Sequence, residues 1–191
     1  MLFNFLLRPV ETIVPWGDET PTLSWFGLSY GWYWLELGGQ EVFRARTVTP
    51  GKPPYADYQV ARLWEDLLEL FSYELVRGGP PRRFISGHFV AAPEVEFLWD
   101  ADSIHLRWES NPAGVELWEP VEGSATIPAV EFIEQVRAFE RAFIAAMEVR
   151  VIGLVGQGGL PGVDIDLHWL EHEQKDRATW LESRLARCAP R

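Results

Sequence analysis

The chain has 191 residues, 47% of them hydrophobic and 14% aromatic, with ten tryptophans and a formal net charge of −11. That length suits one domain around a single core, and the apolar fraction excludes a disordered chain. The negative charge repels phosphate backbones and anionic membrane surfaces, which argues against nucleic-acid and membrane partners and for basic proteins.

Residues 1–7 are apolar but lack a basic leader, and Arg8-Pro9 interrupts them. The stretch is too short for a signal peptide or a spanning helix, so it predicts a first strand over residues 2–8 and a cytoplasmic protein. From Leu23 the pattern predicts a three-stranded meander. Its strands are residues 23–29, 32–37 and 41–46, with turns at Tyr30-Gly31 and Gly38-Gly39-Gln40. After a Pro/Gly break at 50–54, Val60, Leu63, Trp64, Leu67, Leu68 and Phe71 recur at helical steps. They predict a helix over 58–76, closed by Gly78-Gly79-Pro80-Pro81.

A short strand is expected over 84–90, then a second meander over 94–99, 104–109 and 115–119. Thr126 reads as an N-cap before Pro128, opening a long helix that runs to about Arg150. The glycines of 153–162 read as a flexible connection, and 164–187 as a third helix. The expected fold is α+β: an antiparallel meander sheet of six to seven strands with two to three helices on one face. One domain, 1–191, would comprise a meander plus helix over 1–78, another over 84–150, and a C-terminal helix over 163–189. Aligning Val60 with Val136 also pairs Leu63 with Phe139 and Leu67 with Phe143. An internal duplication would produce that match, and so would any two amphipathic helices in a chance register.

Alternation assigns the faces. Val95, Phe97 and Trp99 alternate with Glu94, Glu96 and Asp100, while Ile104, Leu106 and Trp108 alternate with His105, Arg107 and Glu109. One face of this sheet is therefore apolar and the other wet. In the first meander Tyr33, Leu35 and Leu37 face the helices, which turns Trp32 and Trp34, with Trp25 in some registers, to the opposite side. Either a loop folds over those rings, or they form an exposed aromatic surface.

Motifs for chemistry are weak. His168-Trp169-Leu170-Glu171-His172 spells a metal-peptidase pattern, with Asp164 one turn earlier as a third ligand. Its competitor is a solvated helix face. The glycine run lacks the strand and Gly-Lys-Ser/Thr context of a phosphate loop. Ser86-Gly87-His88 lacks a nucleophile elbow, and Cys188, the only cysteine, leaves no intrachain disulfide and sits near a terminus. No cofactor is expected, and enzyme activity is the lesser reading.

The segments Pro15-Trp16-Gly17, Leu23-Ser24-Trp25-Phe26-Gly27-Leu28 and Gly31-Trp32-Tyr33-Trp34-Leu35 resemble the opening of an uncharacterised bacterial family common in actinobacteria. The stretch Leu170-Glu171-His172-Glu173 with Asp176-Arg177 and Leu181-Glu182 is similar to that family's last helix. The resemblance implies a bacterial cytoplasmic domain of unknown function and no catalytic residues. Three functions stay open. The first is a non-enzymatic protein-binding module, in its sharpest form an immunity-type inhibitor of a basic toxin. It would use Glu94, Glu96, Asp100, Asp102, Glu109 and Glu116, with Trp118 and Trp34 as anchors. The second is a small-molecule or hydrolytic pocket lined by Trp25, Trp32, Trp34 and Trp64, with His88 or His105 as polar groups. The third is self-association through the Trp-rich sheet face, as a homodimer.

Overall fold

The computed structural model describes residues 2–70, 79–80, 82–85, 94–110 and 117–183, with only the backbone course given for 82–85. In chain order the elements are β1 (Phe3–Leu7), α1 (Trp25–Leu28), β2 (Tyr30–Leu37), β3 (Gln40–Val42), β4 (Arg44–Ala45), β5 (Ala56–Gln59) and α2 (Val60–Glu69). They continue with β6 (Arg82–Ile85), β7 (Glu94–Asp100), β8 (Ser103–Glu109), β9 (Trp118–Glu119), β10 (Glu122–Pro128), α3 (Ala129–Gln157) and α4 (Leu167–Arg177). The class is α+β with antiparallel sheets, as the patterning predicts.

Apart from one two-stranded ribbon, the described strands divide between two sheets. In the first, β2 is central, with β1 on one side and β3 and β5 sharing the other. The second is a meander in the order β10-β8-β7-β6, and β4 with β9 makes a two-stranded ribbon. The long helix α3 joins the two. Phe132 near its start packs on Phe97 of the second sheet and on Phe3 of the first. Phe139 and Phe143, one turn apart, then pack on Phe5 of β1. One stripe of α3 thus turns both apolar sheet faces into one core.

The short helix α4 closes that core from the side. Its Leu170, Gln174 and Arg177 are buried. Gln174 accepts a hydrogen bond from Trp25 Nε1 at 2.7 Å and donates one to the Ile144 carbonyl at 3.0 Å. The Arg177 guanidinium lies 4.4 Å from the Trp25 ring centroid and 4.9 Å from that of Trp180, so its charge is met by π-faces as well as by Glu173.

Several sequence expectations change. Within the expected strand 23–29 the chain forms α1 instead: the Ser24 hydroxyl accepts from Gly27 N, and the turn buries Trp25 and Leu28 together. Tyr30 and Gly31 belong to β2 rather than to a turn. Strand β5 follows the Pro/Gly break and takes residues 58–59 from the expected helix, which begins at Val60. The third strand of the second meander is β10, so Thr126 lies in a strand and α3 starts after Pro128. The composition of β10 hides it. Its Gly123 is required because the Trp108 ring stands 2.1 Å from where a Cβ would be. Helix α3 runs through Gly153 and Gly156 to a left-handed cap at Gly158, because Val151 and Leu154 still have core to bury in. Phe71, the rest of the expected helix to residue 76, and the expected strand beyond Ile85 up to 90 lie outside the described residues. Among the described residues no helix is long and apolar enough to cross a membrane.

Candidate interaction surface

The outer face of the second sheet gathers the predicted acidic residues. Its register sets Glu94 opposite Glu109 and Glu109 opposite Glu122, so three carboxylates form a row across β7, β8 and β10. Neighbouring strands lie about 4.8 Å apart, well inside the screening length in physiological salt. Like charges directly opposite one another destabilise a sheet. The next row holds Arg83, Glu96, Arg107 and Ser124, which gives Glu96 an arginine on each side in the register, and the following one Leu98, His105 and Thr126. A shallow cleft of about 120 Å³ runs along Glu94, Glu96, Arg107 and Glu109. His105 Nδ1 lies 3.0 Å from Thr126 Oγ1. Asp100 and Asp102 are exposed at the β7–β8 turn, and the Asp102 carbonyl accepts from Ala129 N, tying the turn to the start of α3.

Two residues at this surface escape the sequence reading. Glu122 completes the row, and it was hidden with the rest of β10. Val121 is 53% exposed beside it, fixed where Ser110 N donates to the Val121 carbonyl. Glu116 lies outside the described residues. Trp118 is buried on the ribbon against Phe43, and Trp34 belongs to the other sheet. There Trp34 stacks on Tyr55 with ring centroids 4.0 Å apart, while Arg8 covers Trp32 and pairs with Asp57. Residues from the Pro-rich loop and the end of β1 therefore fold over these two rings. Trp25 and Trp64 lie 5.7 Å apart in the core instead. The four tryptophans of the pocket reading thus fall on opposite sides of the first sheet. His88 is outside the described residues.

A second groove, of about 430 Å³, opens between Arg8, Tyr30 and the loop carrying Trp16. Trp16 is 78% exposed yet held on both sides, since its N–H and carbonyl both bond to Thr22. The histidine pattern falls on α4. His168 is exposed, and His172 sits 3.3 Å from Asp176 with Trp169 stacked on its ring. Asp164 lies ahead of the helix, bridged to Thr22, rather than one helical turn before His168. Among the described residues no group of three or more His, Cys, Asp or Glu side chains is placed to hold a metal ion. Ser86 and Cys188 lie outside the described residues. Burial pushes the Asp66 carboxyl up to about 7, with Glu69 and Glu65 adding to it. Burial likewise pushes Glu140 up to about 7, although the Trp64 indole opposes it.

One family pattern, described as a family of unknown function (DUF5984), matches residues 2–77 and 80–191, so the chain belongs to that family. No curated protein and no solved structure matches the chain.

Proposed function

We propose that this member of a family of unknown function is a non-enzymatic protein-binding module whose outer β10-β8-β7 face docks a basic protein. The observation that carries the reading is the carboxylate row Glu94–Glu109–Glu122. Solubility needs dispersed charge, whereas a cross-strand row of one sign costs stability and concentrates potential where a cationic surface can neutralise it. Val121 supplies an apolar contact at one end of the row, and Asp100 and Asp102 add negative charge at the β7–β8 turn, at the far end of the same strands.

The finer reading is an immunity-type inhibitor of a basic toxin, in a bacterial, actinobacterial cytoplasm. A toxin surface built to hold polyanions, such as that of a nuclease, is what an anionic sheet face would occlude. With such a partner in hand, Glu94→Lys, Glu109→Lys and Glu122→Lys should each slow association about tenfold and flatten its salt dependence. On-rates equal to the native protein in all three variants would overturn the proposal.

A further inference from the structure

The groove between Arg8, Tyr30 and the Trp16 loop shares no residue with the acidic face, and its lining has a chemistry of its own. At about 430 Å³ it falls within the size range of ligand sites. Trp16 and Val14 on its wall are 78% and 80% exposed, apolar area that folding leaves uncovered. The loop that carries them is fixed. The Trp16 backbone bonds in both directions to Thr22, at 2.9 and 2.7 Å. Gly17 turns with a φ of 97°, where a Cβ would stand 2.9 Å from the Thr20 carbonyl oxygen, so the turn needs glycine. Asp164 N donates to the Pro21 carbonyl at 2.8 Å, which stitches the loop to the chain ahead of α4. At Arg8, the Arg150 guanidinium of α3 fixes the backbone by donating to the Arg8 and Leu28 carbonyls. A tryptophan held this way is ordered before anything binds, and binding then orders less.

The polar side chains of the groove identify the occupant. They are Arg8, Trp16 and Tyr30. Guanidinium and indole only donate hydrogen bonds, and a phenol can donate one. Neither Trp16 Nε1 nor Tyr30 Oη has a hydrogen-bond partner among the described residues. A ligand must therefore bring acceptors, and charge decides which. The Arg8 charge is already met by Asp57, and Asp18 and Glu19 stand exposed on the Trp16 loop of a chain with net charge −11. An anion would be repelled there, whereas a neutral carbonyl would not. An ordinary peptide brings an N–H with every carbonyl, and those donors would meet donors. Each proline supplies a carbonyl without an N–H, and its ring packs on aromatic walls such as Trp16 and Tyr30. A proline-rich segment is also extended before it binds. We propose that this groove binds an extended, proline-rich peptide segment of a partner protein. Trp16 is its aromatic anchor, and Trp16 Nε1 and Tyr30 Oη donate to the peptide's carbonyls.

The probe is a fluorophore-labelled decaproline amide, read by anisotropy against the full chain. Saturable binding with a Kd on the order of 100 µM is expected. A glycine–serine peptide of the same length and label should not bind. Trp16→Ala should weaken binding at least about tenfold, with an unchanged melting temperature because the ring is exposed. Tyr30→Phe, which keeps the ring and removes the donor, should weaken it about fivefold. Millimolar benzoate, an anionic acceptor, should not displace the peptide. Native affinity in Trp16→Ala, equal binding of the control peptide, displacement by benzoate, or no saturable binding up to millimolar peptide would each overturn the proposal. These outcomes leave the test of the carboxylate row unaffected.

Discussion

Glu140 and Asp66 decide how this protein responds to pH. Both carboxyls are held up at about 7 by burial, far above their ordinary range. The folded chain therefore keeps protons that the unfolded chain releases, and stability falls as pH climbs from about 4 to 7. Each group costs up to about 3–4 kcal/mol when it ionises in place. Glu140→Gln, which keeps an acceptor for Trp64, should raise stability at pH 8 and change little at pH 4.5. A denaturant midpoint that shifts equally at both pH values would contradict this origin. Glu109 is the other informative position, because it faces a carboxylate on each side. Glu109→Gln should stabilise the chain by about 0.5–1 kcal/mol, with a gain that shrinks as salt is added. A loss of stability would mean that Glu109 makes a favourable contact stronger than both repulsions.

At the scale of elements, legibility followed the strength of the periodic signal. The alternation of Val95, Phe97, Trp99 and of Ile104, Leu106, Trp108 located β7, β8 and their wet face, because a half-buried strand writes its period into its side chains. Two of the three members of the acid row, Glu94 and Glu109, were visible for the same reason. Its third member stayed hidden because Gly123, Ser124 and Ala125 make β10 look like a loop, and only the Trp108 ring across the strand explains why position 123 must be glycine. Helix α1 was unreadable because a four-residue apolar run fits strand and helix equally, and the choice rests on the Ser24 cap and the burial of Trp25. Helix α3 was cut short at its glycines, whose cost is smaller than the burial of Val151 and Leu154 beyond. Nothing lies within 4 Å of a Cβ built at Gly153, so Gly153→Ala should stabilise the fold, by about 1 kcal/mol. The Asp166 side chain caps α4 by accepting from Trp169 N, and Asp166→Ala should cost about 1 kcal/mol. Chemical denaturation of the two variants checks both signs.

For the whole molecule, charge and apolar surface are segregated. The carboxylate row occupies the outer face of the second sheet, whereas the aromatic face of the first sheet is covered by Arg8 and Tyr55. The most direct measurement passes lysate of the source organism over the immobilised native chain and over a Glu94→Lys/Glu109→Lys/Glu122→Lys variant, at low and high salt, with mass spectrometry of what is retained. The account predicts a basic protein held in stoichiometric amount at low salt by the native chain, released at high salt, and absent from the variant. Retention of the same proteins by both chains would contradict it.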